Sequence, residues 1–284
     1  MYWRDGENRF KIEGKVVGSV RERKGDNRMF RREEVKFRSH TVLKADMLSL
    51  SCKAPMEYLE LQYSGWADGV LCGAEIIVGD NELTVQPGII LYQGNLFRMT
   101  ESTQIPYEAN GKTMKLRLHF GECRETEAGK FYEADLSITE ETERRAGDME
   151  LVRFCLQEGA ELRDQFKNFE DIGTQFNTLN YIHAECAGYK EPALSPIVLS
   201  EYVKEASKCA GTDAVDFSFF MECNRGQNVS RASVRLYLQQ KLQKRIEQDA
   251  QNQELYEGLK HVLRLIRTPG RVASQTPGRR ILID

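Results

Sequence analysis

The stretch from Asp68 to Met99, DGVLCGAEIIVGDNELTVQPGIILYQGNLFRM, packs three apolar runs between glycine-bearing breaks. Val70 to Val78 reads as one mostly buried strand, Gly79-Asp80-Asn81 as a turn that tolerates positive φ, and Leu83 to Val85 as the return. Pro87-Gly88 interrupts that return, Ile89 to Tyr92 resumes it, Gln93-Gly94-Asn95 turns again and Leu96 to Met99 runs back. These intervals are too short for helical crossovers, so the segment must pair antiparallel. No recognisable catalytic group lies among the runs.

The same pairing logic extends downstream. Met114, Leu116, Leu118 and Phe120 alternate with Lys115, Arg117 and His119, which puts apolar side chains on one strand face and predicts a solvent-facing polar face opposite. Tyr132, Ala134, Leu136 and Ile138 answer from a second strand across a long polar tip, and Met149 to Gln157 supplies another strand after the charged connection Thr139 to Asp148. Upstream, Met56 to Gly65 alternates without a cleanly apolar face and is assigned to a strand, while Arg21 to Arg38 reads as a charge-laced hairpin or loop.

The hydrophobic period then changes. Phe166, Phe169, Ile172, Phe176, Leu179 and Ile182 recur at helical steps, but Gly173, Asn177 and Asn180 weaken the helix, which predicts a connector that is part helix and part loop. Ser195-Pro196, Gly211-Thr212-Asp213 and Ser230 mark helix starts, and Val234, Leu238, Leu242 and Ile246, then Leu255, Leu259, Val262, Leu263 and Ile266, mark buried stripes. The tail repeats Thr-Pro-Gly-Arg at Thr268 and Thr276, where proline and glycine oppose helix. The expected fold class is α+β multidomain. It comprises an N-terminal antiparallel sandwich or open barrel over 1–157, a connector over 158–194, a small helical bundle over 195–267 and an extended tail over 268–284.

Composition narrows the partners. The 284 residues are 40% hydrophobic, enough to fill real cores, and the net charge of -3 gives the whole-molecule field no bias toward nucleic acid or an anionic membrane. No apolar stretch approaches the roughly 20 residues of a membrane span. The opening MYWRDGENRF lacks a secretory signal pattern, so a cytoplasmic location is expected. Seven scattered cysteines without a Cys-x-x-Cys pair suit reduced thiols packed as small hydrophobes.

Catalytic signatures are sparse. His183-Ala184-Glu185 matches half of a zinc deaminase signature, but the Pro-Cys-x-x-Cys half is missing and one ligand cannot hold the metal. His119 is expected to face solvent and His261 to pack at the bundle edge. The run Glu140, Glu141, Glu143 and Asp148 reads as wet surface, and Asn228-Val229-Ser230 makes better sense as a helix cap than as a glycosylation acceptor. Arg231, Arg235, Lys241, Lys244 and Arg245 invite a nucleic-acid reading of the helical region, yet they are spread around their helix among glutamines, and a solvated surface is preferred. No catalytic, metal or cofactor residue is assigned, and no cofactor is expected.

The cadence of Val85, Pro87, Gly88, Gly94 and their aliphatic neighbours resembles the hairpin entry modules of phage tail and baseplate proteins. It is similar also to the shell-like β-domain of the type VI secretion baseplate adaptor. The resemblance covers residues 68–99 and implies a structural role: a non-enzymatic subunit at the baseplate or fibre-attachment level of a contractile phage-tail-like particle. Such a subunit would form a homo-oligomer of two-fold or three-fold symmetry and contact other structural subunits of the particle. Candidate interaction residues are Tyr63, Trp66, Tyr92, Phe97, Arg279, Arg280, Ile281, Leu282 and Ile283. The tail either folds back on its own domain or docks on a neighbour. The alternatives are a β-domain that binds carbohydrate or another ligand through Tyr63, Trp66, Tyr92 and Phe97 with a helical oligomerisation module attached, a helical domain that binds nucleic acid, and a hydrolase with His and carboxylates in a deep pocket.

Overall fold

The computed structural model describes residues 34–37, 42–127, 129–143 and 145–268. Most of the charged stretch Arg21 to Arg38, and the tail from Pro269 through Arg279 to Ile283, therefore lie outside the described residues. The chain falls into two compact units, Met1–Met56 and Glu57–Asp284. The architecture is α+β.

Helix α1, Ala45–Gln62, replaces the strand expected from Met56 onward. Met56, Glu57, Leu59, Glu60, Leu61 and Gln62 are mostly straight-chain helix formers, and their alternation offered no clean apolar face for a sheet to bury. None of the α1 side chains is buried, and Pro55 sits inside the helix without an N–H to donate.

The run expected as one strand from Val70 to Val78 is divided into β1, Gly69–Gly73, and β2, Ile76–Val78. Its return is divided as well, into β3, Glu82–Val85, and β4, Gly88–Tyr92. Both arms break at the same level, where Ala74 N–H donates to Pro87 O at 3.0 Å and Gln86 N–H to Glu75 O at 2.8 Å. Gly73 adopts φ 66°, and a Cβ on Gly88 would lie 2.5 Å from Ala74 N, so the crossing admits no side chain. The break lets one hairpin serve two antiparallel sheets. One is β1-β4-β5, with β5 at Asn95–Met99, and the other is β2-β3-β6, with β6 at Thr103–Pro106. Between β4 and β5, Gln93 at φ 48° and Gly94 at φ 76° form a two-residue turn of the kind whose twist matches antiparallel strands.

A third sheet has the order β10-β7-β11, built from β7 (Thr113–Phe120), β10 (Ala134–Glu140) and β11 (Asp148–Cys155). Leu116 stands opposite Ile138 on one side and Val152 on the other, so the register follows the expected alternation. The polar tip between β7 and β10 carries its own small hairpin, β8 (Arg124–Thr126) with β9 (Gly129–Phe131).

After β11 the connector forms a 3-10 helix, Phe169–Gly173, capped by the Asn168 side chain and burying Phe169 and Ile172. Then follow α2 (Pro196–Ala206), α3 (Ala214–Cys223), α4 (Arg231–Leu242) and α5 (Asn252–Arg267). Their starts are chemically explicit. Asp213 and Asp216 form a capping box on α3, the Ser230 hydroxyl accepts the Ser233 N–H, and Pro196 begins α2 after Ser195, whose hydroxyl makes no cap bond. Helix α4 ends at Gln243 with φ 50°, which leaves Ile246 beyond the helix rather than on its stripe.

Helix α5 buries Leu255, Tyr256, Leu259, Val262, Leu263 and Ile266 along one face. Each such side chain contributes about 1.5–3 kcal/mol, so this stripe, more than helix propensity, holds α5 in place. The core they join runs without interruption from Leu116, Val152 and Phe154 of the third sheet through Phe169 to Tyr202 and Leu259. His261, expected to pack at the bundle edge, points from the opposite face and is exposed. All seven cysteines are free thiols; Cys155 and Cys186 are buried, whereas Cys52, Cys72 and Cys123 are exposed rather than packed. Among the described residues no helix is long and apolar enough to cross a membrane.

Candidate functional site

The polar face of β7, expected in solvent, is covered. Lys115, Arg117 and Glu150 are at least nine-tenths buried, and the segment from Asn180 to Glu185 joins the side of β11. Asn180 N–H donates to Arg153 O at 2.8 Å, and Glu185 N–H donates to Glu150 O at 2.8 Å. Alternation alone could not reveal this, since the adjoining chain comes from a segment without strand periodicity. The opposite wall is set by the start of α4, where Arg231 N–H donates to Pro192 O at 3.0 Å and Arg231 Nε to Asn252 Oδ1 at 2.7 Å. Together they border a cleft of about 530 Å³ whose lining is mostly charged, including Glu185, and also holds His183.

The cleft floor is an ion-pair lattice. Arg153 grips Glu150 through Nε at 2.6 Å and Nη2 at 2.8 Å, and reaches Glu141 through Nη1 at 3.0 Å. Lys115 Nζ lies 3.0 Å from Glu141 and 3.3 Å from Glu150. At the far end His119 Nδ1 is 2.9 Å from Asp148 Oδ1, while Arg117 donates to the Thr139 hydroxyl at 2.8 Å. Asp148, with a side chain only 7% exposed, is therefore part of this lattice and not the wet surface that its acidic run suggested, whereas Glu141 joins the lattice from a side chain that is still 47% exposed. His119 is a hydrogen-bond partner of Asp148, not an idle surface group.

The electrostatics follow from this pairing. The hydrogen bond from Lys115 holds the Glu141 carboxyl below its usual range, against the opposing effect of burial and with help from Arg153. Burial alone would raise Asp148, but the Arg145 backbone N–H, His119 and Arg117 outweigh it and lower its pKa. Burial, then the Arg153 charge, lowers the pKa of His183 and keeps its imidazole neutral near pH 7. Proton donation in catalysis calls for a carboxyl raised toward neutrality. Both shifted carboxyls of this floor move the other way and stay ionised. Among the described residues no group of three or more His, Cys, Asp or Glu is arranged to hold a metal ion.

The basic residues of α4 have inward duties as well. Arg235 clasps Glu191 at 2.7 and 2.8 Å, and Lys241 reaches Asp213 at 2.9 Å and Asp216 at 2.8 Å. With Arg231 also tied to Asn252, three of the five cations on which a groove-binding helix was considered are committed within the fold, which corrects the solvated-surface reading of them. Asn228 is likewise committed, since its Nδ2 donates to Val70 O and Ala187 O, both at 2.8 Å.

The expected aromatic contact residues form two groups. Tyr63 meets Trp66 edge to face at 5.5 Å, and Trp66 meets Tyr189 at 6.5 Å. Tyr92 stacks on Phe120 at 3.7 Å with the rings 3° from parallel, and Phe97 abuts the same Phe120 ring edge-on at 5.0 Å. Tyr189 and Phe120 were missed because each comes from a distant element. Tyr189 is the most open of these rings at 56% exposure, with Lys190 Nζ 5.2 Å from its centre. The backbone fixes this group: Trp66 bridges Tyr189, Ala67 N–H donates to Gly188 O at 2.9 Å, and Lys190 N–H to Gly65 O at 2.8 Å.

No family model and no curated protein sequence matches the chain. Among solved structures, a crystal structure of TssK resembles it loosely, with a TM-score of 0.36 and 8% identity over 83% of this chain and 71% of that one.

Proposed function

We propose that the chain is a structural assembly subunit of a contractile phage-tail-like particle, at the baseplate or fibre-attachment level, acting through protein–protein interfaces with sister copies and neighbouring subunits. The observation that carries the assembly reading is the Tyr63, Trp66 and Tyr189 group: aromatic side chains held on hydrogen-bonded backbone and open to solvent at Tyr189. Rigid aromatic anchors lose little entropy on docking and are enriched among the residues that dominate interface energies. The charge lattice of the cleft supports the same reading, because its floor carboxylates are spent on internal cations. The particle type rests on the hairpin cadence of residues 68–99.

The test is Tyr189→Asp in the full chain, a change at an exposed ring. The proposal expects an intact fold by circular dichroism and at least about a tenfold loss of incorporation into particles, the scale of one interface hot spot. Unchanged incorporation contradicts it. The same aromatic group also favours a second reading, stacking on a sugar ring. Glycan binding by the full chain, lost in Tyr189→Asp while the parent stays monomeric, would select that reading instead.

A further inference from the structure

We infer that the segment from Arg279 to Ile283 docks on the outer face of α3 of its own chain. This inference stands apart from the assembly reading and rests on three observations about one corner of the fold.

The first is the face itself. Ala214, Phe217 and Met221 follow one another at three- and four-residue steps and are all exposed, Phe217 at 54% and Met221 at 68%. The Phe217 ring lies edge-on to buried Phe220 at 5.9 Å, so the patch is continuous with the core beneath it. Other apolar side chains of α3, Phe219 and Phe220, are buried against the bundle, which leaves this stripe, among the described residues, as the unpartnered side of an otherwise packed helix.

The second is charge. Helix α3 contains Asp216 and Glu222 and no basic residue, and Asp213 precedes it. Asp216 is spent inside the bundle and Asp213 shares Lys241 with it, whereas among the described residues Glu222 is held by an exposed pair with Arg225 at 3.0 Å, a contact of little strength. In the tail, Arg279 and Arg280 stand directly before Ile281, Leu282 and Ile283. Two cations followed by three branched aliphatics match an apolar stripe with acidic neighbours.

The third is where the chain leaves the fold. Gly211 N–H donates to Ile266 O at 3.1 Å, which pins the end of α5 to the turn that leads into Asp213 and α3. Residues 269–278 separate Thr268 from Arg279. Ten residues span up to about 33 Å when extended, and α3 is about 15 Å long, so the segment reaches the whole face. Pro269, Gly270, Pro277 and Gly278 are residue types that disfavour helix. A segment tethered so close has an effective concentration in the millimolar range, well above that of a second copy in solution.

The experiment measures oxidation of Met221 by dilute peroxide, read by peptide mass spectrometry, in the full chain and in the combined variant Ile281→Asp, Leu282→Asp and Ile283→Asp. A second variant, Arg279→Glu with Arg280→Glu, tests the charge match; both sets of changes lie outside the described residues. Docking that shields Met221 most of the time predicts oxidation about tenfold faster in the aspartate variant, an intermediate rate in the charge variant, and protection of the parent that does not change with dilution. Equal rates in parent and aspartate variant overturn the inference. So does protection that fades on dilution, which would assign the face to another copy.

Discussion

Tyr237 donates its hydroxyl to Asp216 at 2.7 Å, deep in the helical core, where Asp216 has no solvent exposure. The same carboxylate accepts Lys241 at 2.8 Å and the Asp213 N–H at 2.8 Å, and Tyr202 stands 2.6 Å from Tyr237, so α2, α3 and α4 share one polar knot. Burial first, then Tyr202 and Asp216, push the Tyr237 hydroxyl far above its ordinary pKa and keep it a donor. Removing the carboxylate leaves buried donors and a cation without their partner. Asp216→Ala is therefore expected to cost about 3–5 kcal/mol in urea unfolding, against about 1–2 kcal/mol for Tyr237→Phe. Equal costs would contradict the knot.

Acid stability should depend on paired carboxylates. Hydrogen bonds from Arg235 hold Glu191 below its ordinary 4.5, against burial, which acts to raise it. A carboxyl depressed in the fold contributes stability above its unfolded pKa and loses it as pH falls through the folded value. Stability is thus expected to decline below about pH 4.5, and Asp148, Asp171 and Glu141 have the same sign. In Arg235→Leu the Glu191 carboxyl should titrate at higher pH by carbon-13 NMR, and the acid decline should be shallower. A Glu191 titration that does not move would show that Arg235 is not its cause.

The crossing of the long hairpin predicts a position-specific cost. In Gly88→Ala the new methyl would lie 2.5 Å from Ala74 N and 2.9 Å from Cys72 O, both backbone atoms, so the arms must part. A loss of about 2–4 kcal/mol is expected, with a shift of the Cys72 and Ala74 amide resonances. Gly121→Ala is the control, because its nearest neighbour would be an ordinary 3.5 Å away, and it should change stability by less than about 0.5 kcal/mol.

Asn228 ties the start of the hairpin to the connector through Val70 O and Ala187 O, and its Nδ2 is the donor in both bonds. Asn228→Ala should cost about 1–3 kcal/mol and speed amide exchange at Ala187. Asn228→Asp, which turns a donor into an acceptor facing two carbonyls, should cost more. The reverse ranking would mean that the clamp is not held by these donors.

Local chemistry was legible in the sequence wherever it was self-contained. Asp213 and Ser230 cap helices with their own side chains, Pro196 begins one, and Leu116 faces Ile138 and Val152 as its alternation demands. What was not legible depends on remote partners. Lys115 and Arg117 alternate like surface residues but are buried at a cleft whose other lining, including His183, Glu185 and Arg231, comes from segments remote in the chain. The tail of α1 misled for the opposite reason: Tyr58, Leu59 and Leu61 carry no single apolar face, and helix propensity decided where burial did not. Of the aromatic contacts, Tyr63 and Trp66 could be picked out by type and proximity, whereas Tyr189 joins them through a backbone bridge that spacing does not encode.

The most direct measurement is quantitative mass spectrometry of contractile tail-like particles purified from cells that make the tagged full chain. A structural subunit is expected to sediment with the particles at a fixed whole-number ratio to their tube protein, and Tyr189→Asp is expected to lower that ratio. Particles that assemble fully without the chain, while it remains a lone monomer in the supernatant, would contradict the account.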